Sequence, residues 1–343
     1  MKEIAVYALT RKGAQLAKSI ARELGSDLFL HKRCGTSEHT VQFESLRKLV
    51  STTFSRYSNH VFIAATGIVV RVIAPLISSK DRDPAVVVLD QNGRFCISLL
   101  SGHLGGANEL ARKIASITGG EPVITTATDI EGLPAIDLIA MERNFAIANP
   151  DAIKVINAAI LDGENIQIYD TEDRLGLRKG NTGLSLDWLG NEKDWKSGMP
   201  GIWVSYTEKS PEPAQLVLHP RCLVVGIGCN KGTRAEEVLD AINNVFRSHG
   251  LATSSLLYLS SIEAKKNEAG LIEAARQLKV TVKFFAPEEL EQVDVPNPSD
   301  MAKKYVGAKS VCEAAAMLAA DQGKLIVPKK IFRNVTVAVA LAP

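Results

Sequence analysis

The densest chemistry lies between Val61 and Asp129, where three strand-like segments each run into a loop of Gly, Ser, Thr or His. At its centre is SGHLGGANE, Ser101 to Glu109, set between the apolar strand 95–100 and an amphipathic helix that begins near Ala107. A strand, a Gly-rich turn and a helix N-terminus make a place for an anion, because backbone N–H groups and the helix dipole converge on one point. His103, a loop imidazole beside Gly102 and Gly105, is of the residue type suited to proton transfer near neutral pH; a structural role in the turn is the alternative. Ser101 is not read as a nucleophile, since the G-x-S-x-G elbow is missing and loop neighbours at i and i+2 diverge. It suits capping of the turn. Glu109, one turn into the helix, suits a charge at a helix N-terminus, and with Asp129 it supplies the remaining ionisable groups of this edge.

The elements that must position these residues follow α/β grammar. A strand at 3–9 and a helix at 13–24 lead to strand 61–65, a helix after Gly67 that ends near Pro75, strand 85–90, a QNG turn, strand 95–100, helix 107–118 and strand 122–126. This predicts an N-terminal domain over 1–137. From 138 to 220 the grammar weakens to a smaller middle domain with a helix at 150–161, a strand at 166–169 and a loop-rich 175–200. Trp188, Trp195 and Trp203 all fall here; packing of a small core is the favoured reading and a stacking surface for a flat ligand the other. The C-terminal domain, 221–343, opens with strand 222–227, the loop GCNKGT and a helix from Thr233, with Thr233 and Glu236 as a capping box. Strands at 255–260 and 281–285 come next, then a second capped helix from Ser310 with Glu313, and a closing hairpin of 324–327 and 335–341. The fold class is α/β and multidomain, the end domains being sheets with helices on both faces.

In open α/β sheets ligands sit at the carboxyl ends of strands. That rule gathers Thr66 and Gly67, then Ser101, Gly102, Gly105 and Gly106, with Asn108 behind them, and Thr125, Thr126 and Asp129. In the last domain it gathers Gly228, Asn230, Lys231, Gly232 and Thr233 with Glu263 and Lys265. The loop Lys80, Asp81, Arg82, Asp83 precedes a strand and is read as a solvated ion-pair turn on the opposite edge. Cofactor fingerprints fail on spacing. Gly226, Gly228 and Gly232 are one residue off the dinucleotide pattern, and Lys231 precedes Gly232 and Thr233 where a nucleotide phosphate loop needs Gly-Lys-Ser/Thr. Cys229, just before a helix, is read as inert, with a lowered pKa as the alternative.

Composition narrows the class further. A net charge of +2 without a basic stripe speaks against nucleic acid as the partner. Five scattered Cys without C-x-x-C spacing speak against a disulfide framework or structural zinc. The apolar run 61–77 is interrupted by Arg71 and Pro75, so no membrane span is expected, and the N-terminus lacks a signal-peptide h-region. A cytoplasmic location is expected.

The runs FIAATGIVVRVIAPLI from Phe62, DPAVVVLD from Asp83, SLLSGHLGGANELA from Ser98 and VITTATD from Val123 resemble the N-terminal half of the cobalt-precorrin-5A hydrolases, the cobalamin biosynthesis protein G family. VVGIGCNKGT from Val224, Glu263, Lys265 and Glu268, and SVCEAAAML from Ser310 resemble the C-terminal domain of that family, while 138–218 carry no matched string. The resemblance implies a cobalt corrinoid substrate bearing a ring A δ-lactone, which water opens before a two-carbon fragment leaves as acetaldehyde. It implies no separate cofactor, since the cobalt arrives in the substrate, and other enzymes of the cobalamin pathway as partners. Arg71, Arg112, Lys231 and Lys265 would offset substrate carboxylates, His103 would act as base, and backbone N–H groups at Gly105 and Gly106 with Thr126 would face oxyanion charge. A non-catalytic carrier of a labile corrinoid is the alternative.

Overall fold

The computed structural model describes residues 2–35, 40–79, 82–103, 105–178, 183–298 and 310–343. The chain divides into two compact units, Met1–Ile139 and Ala140–Pro343, the first built on one seven-stranded sheet and the second on two five-stranded sheets.

In the first unit β1 (Lys2–Ala8), β2 (Asp27–His31), β3 (Thr40–Phe43), β4 (Tyr57–Ile63) and β5 (Ala85–Leu89) run parallel. β6 (Phe95–Leu100) turns back antiparallel to β5, and β7 (Glu121–Val123) pairs parallel with β6, giving the order β3-β2-β1-β4-β5-β6-β7. Strand alternation sends Val6, Ala8, Val61 and Ile63 into one layer and Ala5, Tyr7 and Phe62 into the other. Of the helices α1 (Arg11–Leu24), α2 (Leu46–Thr53), α3 (Thr66–Ile73) and α4 (Ala107–Thr118), the first and last cover the former layer and the middle pair the latter. Two short helices complete the unit's end, α5 (Ala127–Ile130) and α6 (Ile136–Glu142). The Thr10 hydroxyl accepts from Gly13 N, so α1 begins two residues earlier than its apolar pattern suggests. The pattern misses β2, β3 and α2 altogether. In β2 the run Leu28, Phe29 and Leu30 is buried without polar alternation, and so short an apolar run does not separate strand from helix.

The second unit begins with β8 (Phe145–Ile147), α7 (Ala152–Leu161), β9 (Ile166–Tyr169), β10 (Leu186–Trp188), β11 (Gly201–Val204) and β12 (Gln215–Pro220), in the order β10-β9-β11-β12-β8 with β8 antiparallel at one edge. Trp203 is 1% exposed, stacked 4.3 Å from Tyr169 and meeting Trp195 edge-on at 5.2 Å. Those two indoles pack a core, as the favoured reading expects. Trp188 carries the Arg178 guanidinium over its ring at 4.5 Å.

The last sheet combines β13 (Leu223–Cys229), β14 (Leu256–Ile262), β15 (Thr281–Phe285), β16 (Lys324–Ile331) and β17 (Val335–Leu341) in the order β15-β14-β13-β17-β16. Helices α8 (Ala235–Ser248), α9 (Ala269–Leu278), α10 (Pro287–Glu291) and α11 (Val311–Ala319) connect them. Gly226 has a packing reason: a Cβ there would fall 1.8 Å from the Cys312 carbonyl oxygen, so α11 rests directly on the β13 backbone. Of the two capping boxes expected from sequence, the first is displaced by one residue, and in the second Ser310 does precede α11 but makes no side-chain cap bond. Arg234 precedes α8 and its N–H reaches Glu237 at 3.4 Å, while the Thr233 hydroxyl donates to Asn230 O at 2.8 Å and closes the loop instead. Glu313 is 0% exposed and faces inward, accepting from Asn297 N, Asn297 Nδ2 and Lys329 N at 3.1, 2.8 and 2.9 Å. It joins two segments rather than capping a helix.

One buried group makes the first unit sensitive to acid. His60 is 0% exposed; Nε2 donates to Phe54 O at 3.2 Å, which leaves Nδ1 to accept from the Tyr7 hydroxyl at 3.1 Å. Burial pushes its pKa from 6.5 down to about 4, so between these values the unfolded chain binds a proton that the folded unit does not. Stability of the first unit is expected to fall as pH drops through that window, by roughly 2–3 kcal/mol in all. Urea denaturation followed by amide signals of β1 and β4, at about pH 4 and about pH 7, checks this. His60→Phe should flatten the dependence.

Candidate active site

Because β6 and β7 run against β1, β4 and β5, the carboxyl ends of the first sheet fall on two opposite edges. Thr66 and Gly67 follow β4 on one edge and open α3, with Arg71 turned back so that Nη1 donates to Gly67 O at 2.9 Å. Ser101 to Gly106, Thr125, Thr126 and Asp129 lie on the other. The strand-end rule, applied without the reversal, joins what the fold separates. It also misplaces Asp83, which precedes β5 and therefore shares the His103 edge. Asp83 is 7% exposed rather than solvated; its carboxylate accepts from Ser78 N at 2.9 and 3.1 Å, and its carbonyl accepts from the Ser101 hydroxyl at 2.9 Å. Lys80 and Asp81 lie outside the described residues.

The SGHLGG turn folds onto the start of α4 through its own carbonyls. Ala107 N donates to Ser101 O at 3.1 Å, Asn108 N to Gly102 O at 3.0 Å and Gly106 N to His103 O at 2.8 Å. The Gly106 N–H is therefore committed and does not serve as an oxyanion donor. Ser101 holds a left-handed φ of 57° and gives its hydroxyl to Asp83 O, so it ties two strand ends rather than capping the helix. The glycines differ in purpose: a Cβ at Gly105 would lie 2.3 Å from Ser101 Cβ and one at Gly102 2.7 Å from Asn108 Oδ1, whereas Gly106 has open space and is required for its φ of 83°. A side chain at Gly106 would therefore meet backbone strain and no steric obstruction.

Asp129 is the hub of this edge. Its Oδ2 accepts from His103 Nε2 at 3.0 Å and Asn108 Nδ2 at 2.8 Å, and its Oδ1 pairs with Arg112 Nη2. Burial alone would raise the pKa of Asp129, but bonds from Arg112 and His103 outweigh it and hold the carboxyl below its usual range. Asn108, 4% exposed, also donates to Thr126 Oγ1 at 3.0 Å and accepts from Ser98 Oγ at 2.6 Å, fixing the amide orientation. A carboxylate only accepts, so Nε2 of neutral His103 carries the proton and Nδ1 the lone pair. That nitrogen stands 4.0 Å from Oδ2 of Asp137. His103 and Asp129 side chains are 15% and 16% exposed, within reach of solvent, whereas Asp137 is 3% exposed. Glu109, 80% exposed and 3.7 Å from Arg112, stands outside the pair, and Thr125 is exposed. Asp137 escapes the sequence reading because no motif connects it to a loop more than 30 residues upstream. Asn108 is recognisable by position alone.

In the second unit the structure does unite Gly228 to Thr233 with Lys265, at the adjacent carboxyl ends of β13 and β14. Asn230 N and Nδ2 bind Asn334 O and Oδ1 at 3.0 and 3.2 Å. Gly232 N donates to Glu268 Oε1 at 2.7 Å, and Glu268 Oε2 lies 3.3 Å from Lys265 Nζ. A carboxylate of the chain itself occupies the expected cradle. Lys231 and Glu263 are exposed, and burial pushes the Cys229 thiol up, in line with an inert cysteine. Among the described residues no three His, Cys, Asp or Glu side chains converge as a metal site, and no helix is long and apolar enough to cross a membrane.

Fold and site together define a multidomain α/β protein with a hydrogen-bonded histidine–carboxylate pair on a glycine turn. The chain matches the family models for the cobalamin synthesis G N-terminal region over 48–129, the cobalamin biosynthesis central region over 134–220 and the cobalamin synthesis G C-terminus over 223–340, and it belongs to that family. The central match covers the stretch in which the sequence reading found no resemblance. The chain is 32% identical to the cobalt-precorrin-5A hydrolase of Priestia megaterium, over 99% of this chain and 95% of that protein. It is 33% identical to the cobalt-precorrin-5A hydrolase of Salmonella typhimurium, over 99% and 98%. A crystal structure of a cobalamin biosynthesis protein G homolog from Sulfolobus solfataricus is 23% identical with a TM-score of 0.40, covering 99% of this chain and 97% of that one.

Asn108→Ala should release Asp129, Thr126 and Ser98 together. The expected cost is about 1–3 kcal/mol of unfolding free energy, readable by urea denaturation, because buried partners are left unpaired.

Proposed function

We propose that this protein opens the ring A δ-lactone of cobalt-precorrin-5A and releases acetaldehyde to give cobalt-precorrin-5B, with His103 as the base. Identity of 32% and 33%, over 99% of this chain in each case, to two cobalt-precorrin-5A hydrolases carries the reading. The site's chemistry suits it: Nδ1 takes a proton from water, the hydroxide adds to the lactone carbonyl carbon, and the acyl C–O bond breaks. The alkoxide freed on the bridge carbon takes the proton back from Nδ1. Loss of that hydroxyl proton then forms the aldehyde C=O, and the C–C bond to the macrocycle breaks with its electron pair and a proton passing to the macrocycle. Water is consumed and no electrons are gained or lost overall, so the steps call for no hydride carrier; the reading invokes no nucleotide or added metal, and cobalt comes with the substrate.

Within this reading Asp129 holds the His103 ring, Arg112 and Asn108 hold Asp129, and Thr126 is the remaining side-chain donor for oxyanion charge. In the second unit the Gly232 N–H is taken by Glu268, so Lys231 is what the Gly228 to Thr233 loop would offer an anionic group, while Thr66, Gly67 and Arg71 belong to a separate edge of the first unit. The same reading treats 1–137, 138–220 and 221–343 as working segments of a cytoplasmic enzyme that draws its substrate from, and passes its product to, other enzymes of cobalamin synthesis.

Incubation of the purified protein with cobalt-precorrin-5A, with acetaldehyde detected by a coupled assay, tests the proposal. One acetaldehyde per corrinoid is expected, with turnover unaffected by prior dialysis against a chelator. His103→Ala should lower kcat by about 100-fold or more with little change in corrinoid affinity. A corrinoid that binds yet keeps its mass would instead mark a carrier.

A further inference from the structure

Among the described residues, Asp137 is the acidic side chain at the His103 edge that the fold leaves chemically incomplete. Its carboxylate is 3% exposed, and Oδ1 has no hydrogen-bond partner among the described residues. A buried carboxylate oxygen left without a donor is costly, and folded proteins keep such groups where something else requires them. Asp129 differs in each respect: three donors converge on it and its position is locked. Oδ2 of Asp137 faces Nδ1 of His103 at 4.0 Å, the nitrogen that bears the lone pair when Asp129 holds the proton on Nε2. The imidazole thus stands between two carboxylates, one bonded and one held back.

We propose that Asp137 is a positioning residue for the hydrolysis, receiving the charge that His103 gains when Nδ1 takes a proton from the attacking water. This rests on the reading of His103 as base. In the neutral state the 4.0 Å separation is too long for a hydrogen bond. When Nδ1 is protonated the gap closes toward about 2.8 Å, and a bond forms that is absent in the ground state. An interaction made only as charge develops raises kcat without tightening substrate binding. The proton stays on Nδ1 throughout and returns to the bridge oxygen as the acyl C–O bond breaks, so Asp137 is never itself protonated. Among the described residues, the ionisable groups recorded against His103 are Asp129, with Arg112 behind it, and Asp137.

The test uses the full-length enzyme with cobalt-precorrin-5A as substrate. Asp137→Asn keeps the shape and removes the charge; kcat for acetaldehyde release should fall about 10- to 100-fold with KM within about twofold. The acid limb of the kcat profile should move to lower pH, because a neighbouring negative charge that favoured the imidazolium has gone. Tm should stay level or rise, since a buried carboxylate oxygen without a donor is replaced by a neutral amide; a carboxylate kept for structure would show the reverse. Asp137→Glu, which restores the charge, should recover part of kcat. Wild-type kcat and profile in Asp137→Asn overturn the proposal. So does a loss of activity that comes with lowered Tm and lost corrinoid binding in both variants. No acetaldehyde from the wild-type enzyme overturns the hydrolase reading, and the proposal with it.

Discussion

The site depends on a reversal of chain direction between β5 and β6. Asp90 makes that turn: its Oδ1 accepts from Asn92 N and its Oδ2 from Phe95 N, each at 2.8 Å, while Gly93 supplies a φ of 70°. Burial works against the ionised form of Asp90, but these backbone donors prevail and hold its pKa below the usual range. Had the chain crossed over to continue in parallel, the SGHLGG loop would have emerged beside Thr66 and Gly67. Because it turns back, the loop emerges beside the start of β5, where Asp83 can tie down Ser101.

The reversal creates a small polar assembly that is almost entirely self-contained. Loop carbonyls of Ser101, Gly102 and His103 absorb the N–H groups at the start of α4, which removes the anion cradle that a glycine turn ordinarily advertises. What this edge presents is mainly side chains. Asp129 gathers the imidazole, an amide and a guanidinium, and Asn108 extends the grip to Ser98 in β6 and Thr126 beyond β7. The same principle recurs in the second unit, where Glu268 occupies the N–H of Gly232. In both places a motif that looks open in sequence is closed by a residue outside it.

Much of the architecture was legible in sequence, and the failures have physical causes. Helices α4 and α7 carry helical periodicity, strands β4, β5 and β6 stand out as short apolar runs bounded by turn residues, and family strings reach into both end regions. Strands β2, β11 and β12 were lost because full burial erases the alternation that marks a half-exposed strand. The pairing of His103 with Asp129 was within reach, since both end at strand termini, but their separation from Thr66 was not: sequence does not say whether a strand after a tight turn runs with or against its neighbours. Asp137 and Glu313 show a second limit. A buried carboxylate is identified by the donors that surround it, and those donors come from distant segments.

The placement of the three tryptophans has an optical consequence. All of them lie in the second unit, with Trp203 and Trp195 in contact inside its core, while the first unit, which holds His103, contains only tyrosine as a fluorophore. Light absorbed by indole therefore surveys one half of the molecule alone. Emission excited at the red edge is blind to the melting of the half that houses the histidine, and a single fluorescence trace would record the endurance of the wrong half.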